Sequence, residues 1–219
     1  MSYQISRIFY SILILCFAQA AYAEFADIQR IYRQTPNLNQ FEVCQSGGCA
    51  KVTQLALSDV DWQPIKALFG ESVQSNAEQE REKISDAIGL LEKIVGYKVG
   101  TSTDRAGTFG NSDYPGQHDC NDEAINTTTY MRLLKQGGLI KFHVIENLRT
   151  RNLFFTDWPH TTDVIREIET GEGFAVDSWF YDNGHTATIV PFKLRQANYK
   201  PADSPIGRPR KDSTQSTKP

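Results

Sequence analysis

Three residues whose side chains could form a nucleophilic site follow one another along the chain: Cys120, His160 and Asp177. A cysteine nucleophile needs a histidine that takes its proton and a third group that orients the histidine. His160 follows Pro159, whose ring fixes the approach of the chain. Asp177 lies inside the apolar run Phe174–Trp179, where a carboxylate is costly unless it is paired. The pattern predicts that His160 activates Cys120 and that Asp177 orients His160, with a structural aspartate as the alternative.

The other histidines are weaker candidates for the base. His118 lies two residues before Cys120, where local geometry restricts its approach to the thiol. His143 belongs to a run of alternating polar and apolar residues, which favours a structural role on a sheet face. His185 follows an Asp-Asn-Gly turn sequence and is the reserve candidate.

The negative oxygen that forms during acyl transfer needs hydrogen-bond donors. The backbone N–H of Cys120 is expected to supply one of them. Gln117 and Tyr114 are the candidates for the second donor, because both lie close enough in sequence to reach over the thiol.

The first 23 residues have the pattern of a secretory signal peptide. They contain one basic residue, Arg7, then a short apolar stretch, and they end in Ala21-Tyr22-Ala23. The apolar stretch falls short of the roughly 20 residues that span a bilayer. We therefore expect cleavage after Ala23 and a periplasmic or secreted protein without stable membrane insertion.

Export determines what the four cysteines can do. Cys16 leaves with the signal peptide, so three cysteines remain in an oxidising compartment. Cys44 and Cys49 flank Gln-Ser-Gly-Gly, and the two glycines allow a turn tight enough for a disulfide. A zinc site is the alternative, although no second cysteine or histidine pair supplies the other ligands. Cys120 is left unpaired, as a buried inert thiol, an intermolecular partner or a reactive group.

The residues around Cys120 predict a helix over 119–136. Asp119 is a suitable N-cap, and Gly137-Gly138 ends the pattern. Cys120 then lies at the helix N-terminus, where unpaired N–H groups lower a thiol pKa. Neighbouring carboxylates would raise that pKa, namely those of Asp119, Asp122 and Glu123. An arriving histidine would supply the positive charge that activation needs.

An earlier helix is predicted to pack on the core. Ser75-Asn76-Ala77-Glu78 is typical of a capping box, and apolar residues recur every three or four positions from Ile84 to Val95. The charged run Glu78–Lys83 is interpreted as a solvated face. Residues 24–74 give no clear pattern.

Short β-branched or aromatic runs follow the helices. We predict strands at Leu139–Ile145, Asn152–Thr156, Thr161–Glu169, Phe174–Phe180 and Thr186–Phe192. Helices followed by such strands are typical of the α+β class with an antiparallel sheet. The turn signal Gly171-Glu172-Gly173 would centre a regular hairpin so that His160 and Asp177 are offset by several residues. A bulge or an asymmetric loop would have to absorb that offset.

Length and composition predict one domain. The 219 residues are 40% hydrophobic and 22% charged, with a formal net charge of -3. We expect a domain over 24–199 with its core at about 75–193, and a disordered Pro-rich tail over 200–219. Mild acidity without a basic cluster excludes a nucleic-acid binder. Nucleotide-binding fingerprints are absent, so no cofactor is expected.

Several of these residues together resemble the transglutaminase-like cysteine peptidase superfamily, in its bacterial exported cysteine-proteinase branch. The resemblance covers roughly residues 85–193. Its motifs are Asp119-Cys120-Asn121-Asp122-Glu123-Ala124 opening a helix, Leu133-Leu134, Gly137-Gly138, His160 on one strand and Val176-Asp177-Ser178 on the next. His118-Asp119 precedes the cysteine where many relatives carry a glycine and an acid.

The resemblance implies a papain-like α+β core, in which the helix that begins with the nucleophile packs on an antiparallel sheet. It also implies a peptidase or amidase in which Cys120, His160 and Asp177 hydrolyse an amide bond of a protein or peptide through a thioester acyl-enzyme. Transfer of the acyl group to an amine is one alternative, and an inactive binding module is another. Some relatives bind calcium beside the thiol, where Asp119 and Asp122 could serve, but two carboxylates are too few to predict the ion.

Overall fold

A computed structural model describes residues 29–70, 76–108, 115–151 and 159–206 as short antiparallel strands and helices. The strands are β1 (Phe41–Gln45), β2 (Lys51–Leu55), β3 (His143–Ile145), β4 (Arg149–Arg151), β5 (His160–Glu167), β6 (Gly173–Asp177) and β7 (Thr188–Pro191). The helices are α1 (Asp59–Phe69), α2 (Ala77–Val99), α3 (Cys120–Gln136) and α4 (Phe192–Gln196). The predicted signal peptide, Ser75, Tyr114, the strand Asn152–Thr156 and the tail beyond residue 206 lie outside the described residues.

The larger sheet confirms the predicted α+β class with antiparallel strands. Its strand order is β3-β5-β6-β7, and β4 pairs with β5 beside this path. The predicted strand Leu139–Ile145 shrinks to β3 because the N–H groups of Lys141 and Phe142 donate to the carboxylate of Glu80 and not to a neighbouring strand.

The core lies between one face of this sheet and the helices α2 and α3. Ile165 and Phe174 of the sheet, Met131 of α3 and Leu91 of α2 belong to one apolar cluster, and all four are buried. Burial of such side chains contributes roughly 1.5–3 kcal/mol each. No helix among the described residues is long and apolar enough to cross a membrane.

The start of α2 differs from the sequence prediction. Its N-cap is Asn76, whose side chain accepts from the Gln79 N–H, and not Ser75. The interpretation of residues 78–83 as a solvated face is wrong for Glu80, which is fully buried. Its carboxylate contacts His143 Nδ1 at 2.8 Å, so His143 has the structural role that its strand pattern predicted. The buried Glu80 carboxylate accepts from two backbone N–H groups and contacts His143, and it thereby joins α2 to β3.

Replacing Glu80 with alanine is expected to lower the free energy of unfolding by about 3 kcal/mol, because buried donors lose their acceptor. Urea denaturation followed by circular dichroism measures the change. Glu82→Ala, at an exposed position of the same helix, should change stability by less than about 0.5 kcal/mol. Equal effects of the two substitutions would contradict the anchoring role of Glu80.

The described residues include the first part of the predicted tail, up to residue 206. Ser204 is buried and its hydroxyl donates to the Phe180 carbonyl at 2.8 Å. Tyr181 donates to Asp203 Oδ1 at 2.6 Å. Polar side chains at the start of the tail therefore form hydrogen bonds with the segment after β6.

Candidate active site

Cys120 is the first residue of α3, as the sequence predicts. The side chain of the N-cap Asp119 accepts from the N–H groups of Asn121 and Asp122, both at 2.9 Å. The thiol is free and only 8% of Cys120 is exposed. The local sequence is sufficient for this arrangement because the capping groups lie within one helical turn.

A disulfide-closed hairpin holds the first turn of α3. Cys44 and Cys49 form a disulfide across the loop that joins β1 to β2. Within that loop, Gly47 and Gly48 have φ angles of 81° and 58°, which turn successive N–H groups to one side. The Gly47 and Cys49 N–H groups donate to Asp122 at 2.7 Å. We call residues 44–49 the clamp loop.

The clamp loop also contacts the second turn of α3. Asn126 exchanges two hydrogen bonds with the backbone of Cys44, at 2.8 and 2.9 Å. The Gly48 N–H donates to Asp119 at 2.9 Å. The sequence analysis did not predict this contact, because no local pattern in residues 44–49 indicates a partner some seventy residues away.

The carboxylates beside the thiol do not fit the calcium site that the resemblance allows. Each oxygen of Asp119 and Asp122 already accepts from a backbone N–H group, from the clamp loop or from the start of α3. These donors favour the ionised form of Asp122, whereas burial and the charge of Asp119 raise its pKa to about 7. The neighbouring group Cys44, Cys49 and Asp122 offers no metal ligands from sulfur, because both sulfurs are in the disulfide.

The surroundings of Cys120 shift the pKa of its thiol, and burial has the largest effect. Burial raises its pKa to about 11, and the negative charges of Asp119 and Asp177 also raise it. The backbone N–H groups of Thr161 and of Cys120 itself reach the sulfur and act in the opposite direction. These surroundings therefore favour the protonated thiol, which lies against the start of β5, where Thr161 follows His160.

His160 and Asp177 are in direct contact. His160 Nε2 lies 2.7 Å from Asp177 Oδ2, and both side chains are about 5% exposed. Arg195 of α4 donates to the same carboxylate oxygen at 3.2 Å. The Trp179 ring lies 4.6 Å from the imidazole, centroid to centroid, and restricts its movement.

The β5–β6 register explains this contact without a bulge. Asp163 pairs with Val176 and Arg166 pairs with Gly173. The same register sets Asp177 opposite Thr162, so His160 is its diagonal neighbour on one face, within reach of long side chains. The Glu167 N–H donates to Glu172 O at 2.9 Å and closes the hairpin.

The expectation of a bulge or an asymmetric loop was therefore wrong. The hairpin centres between Glu169 and Thr170, and Gly173 belongs to β6 and not to the turn. The glycine-rich sequence Gly171-Glu172-Gly173 marks the exit of the hairpin loop, which shifts the centre toward the N-terminus and brings the histidine nearer to the aspartate.

The second ring nitrogen of His160 is unused. Nδ1 is buried and has no hydrogen-bond partner among the described residues, so no hydrogen bond joins it to the Cys120 thiol. Nδ1 is the ring nitrogen closer to the main chain, and the thiol lies against that main chain at Thr161. The unpartnered nitrogen belongs to the first residue of β5, and the thiol contacts the backbone N–H of the second.

The structure does not bring the remaining sequence candidates to the thiol. The side-chain amide of Gln117 donates to Thr103 O at 3.0 Å and accepts from the Arg105 N–H, so its donors are engaged away from the thiol. The His185 ring is exposed and stacks on Tyr181 at 3.8 Å. Tyr114 lies outside the described residues, so the Cys120 N–H is the remaining described candidate for an oxyanion donor.

His118 belongs to a buried ionic network behind α3. Its Nδ1 lies 3.2 Å from Glu123 and 3.4 Å from Asp104, a set of atoms that could also hold a metal ion. Burial alone would raise the pKa of Glu123, but the His118 imidazolium lowers it to about 2. The other Glu123 oxygen accepts from Ser178, the residue after Asp177. The network ties the cysteine helix to the strand that carries the aspartate.

Glu123→Gln is expected to lower the free energy of unfolding by about 3 kcal/mol at pH 7, since a pKa unit corresponds to about 1.4 kcal/mol. The Glu123 pKa is below its ordinary value of 4.5, so its contribution is present above pH 4.5 and is lost as the pH falls toward 2. Urea denaturation at pH 7 and pH 3 should show the gap between wild type and variant shrinking. A gap that stays constant would contradict the His118–Glu123 ion pair.

A cavity of about 960 Å³ opens on the face of β5 that carries His160. Thr162 and Val164 continue its wall along β5, and Arg195 and Phe192 of α4 close the opposite side. The cavity is large enough for a peptide side chain with part of its main chain. Both His160 and the cation that contacts Asp177 therefore border a space that a substrate can enter.

Comparison with known proteins finds no match for this chain: no protein-family model fits it, and neither a curated protein nor a solved structure is similar to it.

Proposed function

We propose that this protein is an exported cysteine peptidase or amidase that hydrolyses an amide bond through Cys120, His160 and Asp177. The observation that carries the proposal is the 2.7 Å contact between His160 Nε2 and Asp177, with the opposite ring nitrogen buried and unpartnered. A buried ring nitrogen without a partner, on the strand whose backbone contacts the thiol, suits a base that accepts the thiol proton.

The reaction would begin with a neutral thiol. His160 Nδ1 takes the proton of Cys120 as the sulfur attacks the substrate carbonyl carbon, and the carbonyl oxygen becomes an oxyanion that the Cys120 N–H can stabilise. The imidazolium then gives its proton to the leaving amine, and a thioester remains on the sulfur. Water, deprotonated by the same nitrogen, attacks the thioester carbonyl carbon. The C–S bond then breaks, the acid is released, and the imidazolium returns its proton to the sulfur of Cys120.

Asp177 would hold the imidazole in the required tautomer. Its carboxylate accepts from Nε2–H, which leaves Nδ1 as the acceptor for the thiol proton. Burial raises the pKa of Asp177 to about 8, which disfavours the ionised form. The guanidinium of Arg195 on the same oxygen favours that form. This pair supports a role for Arg195 in keeping the orienting group charged.

The transglutaminase-like resemblance supports the same proposal from the sequence. Its motif residues fall at the start of α3, at the start of β5 and at the end of β6. The papain-like fold and the export of the chain belong to this proposal. The disulfide is compatible with an oxidising compartment.

Alkylation of Cys120 by iodoacetamide tests the proposed function on the folded protein. We expect a rate that rises from pH 6 to pH 10, and that falls at least ten-fold in His160→Ala at neutral pH because the base is lost. His185→Ala, which removes an exposed histidine outside the site, is the matched control and should leave the rate unchanged. A His160→Ala rate equal to that of wild type would defeat the proposal.

A further inference from the structure

The cavity beside His160 carries an excess of positive charge. Five of its lining residues are Arg or Lys and two are Glu. The cations are Arg149, Arg151, Arg166, Lys193 and Arg195, and the acids are Glu146 and Glu172. Because the whole chain has a formal net charge of -3, this positive excess is local to the cavity.

Three of these cations interact with other groups of the fold. Arg166 contacts Glu146 through its Nε, Arg195 contacts Asp177, and Arg151 has an interaction of its own. Arg149 and Lys193 are exposed residues of the cavity lining, one on β4 and the other on α4. Exposed cations on two sides of a concave surface attract anions from solution.

The sheet register directs the β4 cations toward the reacting groups. Arg151 pairs with His160, and Arg149 pairs with Thr162. Side chains of directly paired residues project from the same face of a sheet. A substrate whose amide lies between Cys120 and His160 would therefore meet these cations when its chain continues past the imidazole into the cavity.

We propose that the cavity binds a carboxylate group of the substrate close to the amide bond that is cleaved, with Arg149 and Lys193 as the selecting residues. This inference rests on the proposed function and names its substrate class, an acidic peptide. Arg149 can receive a carboxylate with two parallel N–H donors, whereas Lys193 contributes a point charge. A neutral or basic residue at the same place would gain neither contact.

Activation of the thiol is a poorer explanation for these two cations. Their side chains are exposed, so water and salt screen their effect on a buried sulfur. The cations are better placed to contact a solute that enters the cavity than to change the charge of Cys120, which is not among the residues that line it.

Peptide binding to the full-length Cys120→Ser variant tests the inference without turnover. The probes are fluorescein-labelled hexapeptides identical except for a central Glu, Gln or Lys, measured by fluorescence anisotropy at 50 and 300 mM salt. We expect the Glu peptide to bind about ten-fold more tightly than the Gln peptide at low salt, with a smaller difference at high salt. A labelled peptidoglycan stem peptide that contains D-Glu is measured in the same way. Tighter binding of the Glu hexapeptide indicates a protein substrate, and tighter binding of the stem peptide indicates a cell-wall substrate.

Charge reversal identifies the residues responsible. Arg149→Glu and Lys193→Glu should each abolish the preference for the Glu peptide, and the double variant should favour the Lys peptide. Lys66→Glu, at an exposed position of α1 outside the cavity, should bind as the parent does. Equal binding of the Glu and Gln peptides, or an unchanged preference in the double variant, would overturn the inference. Neither result depends on Cys120 reactivity, so the proposed function stands or falls separately.

Discussion

Replacing Asp177 with alanine is expected to reduce amide hydrolysis by about a thousand-fold or more, the largest effect of any substitution outside Cys120 and His160. Without the carboxylate, Nε2 of His160 loses its acceptor at 2.7 Å, and the imidazolium that forms during attack loses its counter-charge. Nδ1 would then carry the proton in part of the population, and that tautomer cannot deprotonate the thiol. Hydrolysis of a pool of fluorogenic peptide amides measures the loss.

Asp177→Asn separates the orientation of the His160 ring by Asp177 from the effect of the negative charge of Asp177. Asp177→Asn keeps an acceptor oxygen for Nε2–H but loses the negative charge, so its activity should fall between those of wild type and Asp177→Ala. Asp163→Asn is the matched control. Burial raises the pKa of Asp163 well above its ordinary value, and its side chain contacts Thr128 of α3. Loss of activity in Asp163→Asn comparable to that in Asp177→Asn would contradict the specific role of Asp177.

Removing the disulfide by Cys44→Ser with Cys49→Ser is expected to slow Cys120 alkylation about ten-fold and to lower the free energy of unfolding by about 2 kcal/mol. The free energy of unfolding falls because the disulfide no longer closes a short loop in the unfolded chain. The alkylation rate of Cys120 falls because the clamp loop, whose N–H groups donate to Asp119 and Asp122, is no longer held in place. When those donors move away, the charge of Asp119 acts on the sulfur with less compensation and raises the thiol pKa further.

Reduction of the wild-type protein provides the comparison. Dithiothreitol should reproduce the stability loss in wild type and have no further effect on the double-serine variant, which keeps Cys120 as its only thiol in the described residues. The alkylation rate is compared in the serine variant, where Cys44 and Cys49 cannot react. An alkylation rate equal to that of wild type would mean that the clamp loop contributes stability alone.

The helix that begins at Cys120 and the contact between His160 and Asp177 were both predicted from the sequence. The helix start depends on Asp119 and on N–H groups within one turn, so short-range chemistry determines it. The pairing was predicted from a different rule. A carboxylate inside the apolar strand β6 is costly unless it has a hydrogen-bonding or cationic partner, and His160 was the histidine predicted to supply it. Catalysis by this pair remains a proposal.

Only the tertiary structure decided what surrounds these groups. The docking of the clamp loop on α3, the burial of Glu80 and the engagement of Gln117 all depend on contacts between segments far apart in the chain. Their residues have ordinary loop or surface compositions, so no local pattern identifies the partner. The hairpin centre between Glu169 and Thr170 is a further example, because the register follows from core packing of Ile165 and Phe174 and not from the glycines alone. Capping and pairing rules act over a few residues, whereas the environment that raises a thiol pKa is assembled by the whole fold.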